Sequence, residues 1–109
     1  MAYSESLACR VREMLERTPY IVEKKMFGGL GTLYQGNMLV GVRHDTLILR
    51  LGVEQAAVAL KQPNVKVFDI TGKPMKGWVT IREKHLDEDA ELQQWLQQAL
   101  AFVGTLAAK

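Results

Sequence analysis

The run Gly28-Gly29-Leu30-Gly31, with Lys24 and Lys25 just ahead of it, holds residue types that can cradle a phosphate: glycines that let backbone N–H groups approach an anion, and cations to meet its charge. Such a loop follows a strand, opens a helix and carries a Lys-Ser/Thr pair or a later acidic ligand for a ribose. Here a strand pattern follows instead, so the run reads as a bulge or tight bend feeding a hairpin. A second glycine-bearing run, Thr71-Gly72-Lys73-Pro74-Met75-Lys76-Gly77-Trp78, offers Lys73 and Lys76 as anion binders, although lysines at strand ends are more often solvated. His44 and His85 lie far apart, with no Cys or carboxylate at a metal-ligand spacing, so no metal and no cofactor is expected. Cys9 lacks a neighbouring His and reads as a surface thiol. Trp78 and Trp95 could stack on bases, but each sits in an apolar pattern that wants burial. With no Ser/His/Asp or Cys/His arrangement and no acid/base carboxylate pair, the expectation is a domain that is not an enzyme.

Three helices and two groups of strands must position these residues. Leu7, Val11, Met14 and Leu15 share one helical face behind the N-cap candidate Ser4, and Glu13 stands four residues before Arg17. This helix should end near Thr18-Pro19, with Cys9 facing away from the core. A short helix fits Glu54 to Leu60, between Gly52 and Pro63. Leu92, Trp95, Leu96, Ala99, Phe102, Val103 and Leu106 keep a helical rhythm after Asp87-Glu88-Asp89, whose charges suit a helix N-terminus. Strands are expected at Tyr20–Phe27, Val65–Ile70 and Trp78–Ile81. The order is helix, three or four strands, helix, two strands, helix.

Two turns set a register. A turn at Gly36-Asn37 pairs Gln35 with Met38, Leu33 with Val40 and Gly31 with Val42. A turn at His44-Asp45 pairs Val42 with Leu47 and Val40 with Leu49. Together they predict a core face of Leu33, Met38, Val40, Val42, Leu47, Leu49 and Leu51. The opposite face, with Tyr34, Leu39, Ile48 and Arg50 around Gly41, is too apolar for open water, so either a partner docks there or the first strand or last helix covers it. Trp78 is expected to pack into the domain and support the glycine-run loop.

The chain of 109 residues and 48% apolar content suits one α+β domain, residues 1–109, that needs no staples. One Cys excludes an intrachain disulfide, and the absence of a leader-like start or a long apolar run predicts a cytoplasmic protein off the membrane. The net charge of +2 hides an uneven spread: residues 61–85 carry +4 and residues 86–109 carry −3. A basic surface over 61–85 is the one route to DNA in this reading, a weak or indirect one.

The runs Lys25-Met26-Phe27-Gly28-Gly29-Leu30-Gly31, Gly36-Asn37-Met38 through Gly41-Val42, Leu49-Arg50-Leu51-Gly52 and Lys73-Pro74-Met75-Lys76-Gly77-Trp78-Val79, in this order and spacing, resemble the N-terminal domain of the TfoX/Sxy proteins, bacterial regulators associated with competence gene expression. The resemblance covers nearly the whole chain. It implies an αβββαββα fold of the secretion-chaperone-like type with an antiparallel meander. It also implies a transcriptional role alongside a cyclic-AMP-responsive transcription factor. The family offers no catalytic residues to carry over; Met26, Phe27, Gly28, Gly29, Gly31, Gly36, Gly77 and Trp78 stand at its motif positions as structural or partner-facing groups. Family regulators commonly carry a second, helical C-terminal domain, and the reading here is of the N-terminal domain alone. The resulting expectation is a regulatory domain acting through a protein partner such as the transcription machinery, or through a homodimer. The alternatives are a ligand-binding or enzymatic domain with a cleft near the glycine loop and Lys73/Lys76, and direct DNA binding through 61–85.

Overall fold

The computed structural model describes residues 3–26, 28–69, 72 and 74–108. Helix α1 (Glu5–Met14) is followed by strands β1 (Ile21–Met26), β2 (Gly29–Tyr34), β3 (Asn37–Arg43) and β4 (Thr46–Arg50). Helix α2 (Val53–Ala59), strands β5 (Val65–Asp69) and β6 (Pro74–Arg82), a 3-10 turn at Glu83–His85 and helix α3 (Asp89–Val103) complete the chain. The first block thus holds four strands. All six form one sheet in the order β1-β2-β3-β4-β6-β5, with every neighbouring pair antiparallel.

The helices form for the reasons their sequences give. Ser4 Oγ accepts from the Leu7 N–H at 3.2 Å, which satisfies one of the free donors at the start of α1. Leu7, Val11 and Leu15 are buried while Cys9 is exposed. In α3, Asp89 and Glu91 occupy the first turn, and Leu92, Trp95, Leu96, Ala99 and Val103 are buried. All three helices pack on one side of the sheet, where their apolar residues join Val40, Val42, Leu47, Leu49, Leu51, Val79 and Ile81 in a single core. Burying a leucine of this kind contributes about 1.5–3 kcal/mol.

Around the helices the ion pairs are local ties. Arg12 bonds both carboxylate oxygens of Glu23 on β1, at 2.8 and 3.1 Å, an arrangement that holds the guanidinium above its ordinary pKa through hydrogen bonding first and charge second. The expected Glu13–Arg17 pair is not among the ion pairs of the described residues. Arg10 instead joins α1 to α3 through Asp89 at 2.9 Å, and its Nη2 donates to the Leu86 carbonyl at 2.6 Å. These surface pairs steer the helices more than they stabilise them.

The register differs from expectation on one side of the sheet. The β3–β4 hairpin turns at His44-Asp45 as predicted, with Val42 opposite Leu47 and Val40 opposite Leu49. The β2–β3 hairpin, however, turns at Gln35-Gly36, so Tyr34 faces Asn37 and Leu33 faces Met38. Both turn residues have left-handed backbones, φ 51° and 84°, the pattern of a type I′ turn. Further along, Thr32 faces Val40, which leaves Leu39 as an unmatched bulge residue.

The turn and bulge move several side chains across the sheet. Leu39, expected on the open face, is 0% exposed and lies in the core, and Tyr34 packs against that core as well. Leu30 and Thr32, rather than the expected Leu33, take the core positions on β2. Asn37 is buried because its Nδ2 donates to the Ala107 carbonyl at 2.8 Å, tying the segment after α3 to the hairpin. Leu39 is therefore a core residue rather than an interface anchor. Leu39→Ala should cost about 2–5 kcal/mol in urea unfolding, and Leu39→Glu, which buries an unpaired carboxylate, should fail to fold. A folded Leu39→Glu variant melting with the wild type would contradict this placement.

The first glycine run closes the β1–β2 hairpin. Met26 pairs with Gly29, and Gly28 has φ +73°; Phe27 lies outside the described residues. A Cβ on Gly29 would run into the carbonyl oxygen of Val42, whereas a Cβ on Gly28 would meet nothing within 4 Å. Met26 Sδ lies 2.5 Å from where a Cβ on Gly31 would stand, so the Met26 side chain of β1 occupies the space a larger residue would need. The run is structural in these contacts. Gly28→Ala should cost about 1 kcal/mol from backbone strain alone. Gly29→Ala should cost distinctly more, because two strands must separate; calorimetry showing the reverse order would reject the close approach at Val42.

Candidate functional site

The side of the sheet away from the helices lies outside the main core. Strand alternation brings its side chains into cross-strand rows. The central row runs Lys24, Gly31, Gly41, Ile48, Thr80, Lys66. Beside it, Arg43 faces Thr46 and Thr46 faces Arg82. On the other side Val22, Leu33 and Met38 line up, and farther across the sheet Arg50 faces Trp78. Both expected positions Ile48 and Arg50 therefore lie on this face, but Ile48 is only 1% exposed and cannot anchor a partner directly. The expectation that the first strand or last helix covers the face fails: β1 is an edge strand of the same sheet, and α3 packs on the opposite side.

Trp78 belongs to this face and is half-buried, not part of the main core. Its ring lies 5.8 Å from that of Phe68, and the Arg50 guanidinium stands 5.3 Å from the Trp78 ring centre. Arg50 also lies 6.0 Å from the ring centre of Phe102 on α3, and its Nη1 makes one long bond, 3.5 Å, to the Met38 carbonyl. Stacking between two rings fixes the guanidinium while leaving most of its donors uncommitted. Gly77, just before Trp78, accepts from both Leu51 and Gly52 N–H groups at 2.9 and 3.0 Å, joining the end of β4 to β6.

The expected support of the glycine-run loop by Trp78 is not seen, since β6 is three places from β2 in the sheet. By the same register Gly29 lies at the end of the sheet where Arg43, Thr46 and Arg82 meet, and Lys76 lies beyond Trp78 at the other end. The glycine loop and Lys76 do not form one cleft; Lys73 lies outside the described residues. The described cations of 61–85 are divided as well. Lys66 and Arg82 reach the helix-free face, Lys61 follows α2, and Lys84 sits in the 3-10 turn.

Arg82 is paired with Asp45 at 2.7 Å, and that hydrogen bond holds the Asp45 carboxyl below its usual range. A shallow cavity of about 190 Å³ lies beside this pair, with Arg43, His44, Ile48, Phe68 and Thr80 in its wall. A larger groove of about 550 Å³, which sequence reasoning missed, runs between α2 and α3 and is lined by Leu51, Val53, Ala101 and Phe102. Its one legible signal was Val53, an apolar residue at the start of a short helix. Among the described residues no three His, Cys, Asp or Glu side chains gather where they could hold a metal ion, and no helix is long and apolar enough to cross a membrane.

Because Trp78 is half-buried, Trp78→Ala should cost about 2–3 kcal/mol, less than the ~3–5 kcal/mol of a fully buried aromatic. Trp78→Phe should recover most of it. Thermal unfolding of the two variants checks this, and an alanine variant as stable as the wild type would show that Trp78 supports nothing beneath it.

No curated protein and no solved structure matches the chain. The family model described as the TfoX N-terminal domain matches residues 13–103, which take in the whole six-stranded sheet together with α2 and α3. Over that span, the chain belongs to the TfoX N-terminal domain family.

Proposed function

We propose that this domain is a non-enzymatic, cytoplasmic regulator that works by binding a protein, in transcriptional control of the competence type. The observation that carries the reading is the helix-free sheet face. One side of the sheet meets three helices; the other bears exposed Val22 (61%), half-buried Leu33 and Met38, and several cations. Apolar groups left at a sheet surface among polar ones are the ordinary composition of an interface. Family membership supports the same direction. The glycine loop, whose glycines accommodate Val42 and Met26, gives no support to a nucleotide cleft. Of the described cations of 61–85, Lys66 and Arg82 reach the helix-free face while Lys61, Lys76 and Lys84 lie elsewhere, which favours a protein partner over direct DNA binding through that segment.

Affinity capture from the native cytosol, with the tagged chain as bait and crosslinking before lysis, tests the proposal. The expected result is specific enrichment of RNA polymerase or a transcription factor. Enrichment of neither, with a small molecule retained on the purified domain, would replace this reading with ligand binding.

A further inference from the structure

On the helix-free face stand Lys24, Arg43, Arg50, Lys66 and Arg82. Among the described residues the one carboxylate in ion-pair contact with any of them is Asp45, which takes Arg82. Four cations thus share one surface without acidic partners, and the half-buried Arg50 is already fixed by Trp78 and Phe102. We propose that this face binds an acidic, amphipathic protein segment, its carboxylates meeting Arg43, Arg50 and Lys66 and its apolar side chains meeting Val22, Leu33 and Met38. The inference rests on the protein-binding reading above and names the partner's chemistry.

Three physical points favour this occupant. A guanidinium held by stacking gives up little conformational freedom when it forks onto a carboxylate. A second copy docked face to face would set arginines and lysines against like charges, which costs energy where water is excluded. Single-stranded nucleic acid would need open aromatic faces for its bases, but Trp78 is already engaged by Arg50 at 5.3 Å and Phe68 at 5.8 Å, and Phe68 is buried. The apolar row of Val22, Leu33 and Met38 also offers nothing to a phosphate backbone, whereas a peptide with alternating acidic and apolar residues uses both kinds of group.

Fluorescence anisotropy with the intact chain tests this. The probes are a labelled peptide repeating Glu-Leu-Asp-Ser, its Gln-Leu-Asn-Ser counterpart, and a labelled oligothymidylate of similar charge. The acidic peptide should bind at least roughly tenfold more tightly than the neutral one and weaken as salt rises. The double variant Arg43→Gln/Lys66→Gln, at strand positions outside the core, should lose about tenfold in affinity while melting with the wild type. Arg50→Met, which keeps an apolar stem against Trp78, should lose affinity too. Equal binding of the two peptides, full affinity in the double variant, or tighter binding of oligothymidylate would each overturn the proposal. If transcription components are captured from cytosol with undiminished yield by the double variant, the protein-binding reading stands and this surface is not its site.

Discussion

Between Met38 and Val40 the third strand carries one more residue than the second has to oppose it, and the rest of the sheet is arranged around that excess. Strand side chains alternate, so an extra residue exchanges the two faces of everything beyond it. Leu39 and Val40 can then both belong to the core, at 0% exposure each, while Leu33 and Met38 are carried to the side without helices. The same shift brings Asn37 into contact with the segment after α3 and lets Tyr34 reach the helix layer, where Tyr20 meets it edge-on at 6.4 Å. One bulge therefore decides both what the core contains and what the open face displays.

Much of the architecture was legible because local signals agreed with one another. The α3 stripe, the Ser4 cap and the His44-Asp45 turn each follow from short-range spacing, and each is where that spacing puts it. The Gly36-Asn37 signal misled by one position. Asn and Gly are both suited to left-handed angles, and the choice between Gln35-Gly36 and Gly36-Asn37 is settled far away, by the carbonyl of Ala107 that claims the Asn37 side chain. The bulge was illegible for a similar reason. Leu39 and Met38 are equally apolar, and only the demand of the helix layer for two consecutive residues separates them. Trp78 was legible as a residue that packs against the domain but not as one on the helix-free face, because only the pairing of β6 with β4 puts it opposite Arg50.

The second apolar group, Ile48 and Phe68 with Trp78 beside them, shows how a sheet face without helices stays ordered. Ile48 and Phe68 are almost fully buried there although neither belongs to the main core. The cation over Trp78 adds attraction to the ring and keeps its own charge at the surface, as long basic side chains do when their stems lie on apolar ground. Arg50 in this way links the two sides of the sheet, since Phe102 reaches it from the helix layer.

Counting charge along the chain does not locate a surface, for a reason intrinsic to strands. A window such as 61–85 mixes residues that point to opposite sides, so its described cations are divided among α2's end, the sheet and the 3-10 turn. The basic face that does form draws Lys24 from β1, Arg43 from β3, Arg50 from β4, Arg82 from β6 and Lys66 from β5. None of these is a neighbour of another in sequence. Acidic residues near α3 do not neutralise them, because Asp89 is committed to Arg10 at the other layer of the molecule. Charge that is balanced overall can therefore stand unbalanced on one face, and it is the sheet's order, not the composition, that puts it there.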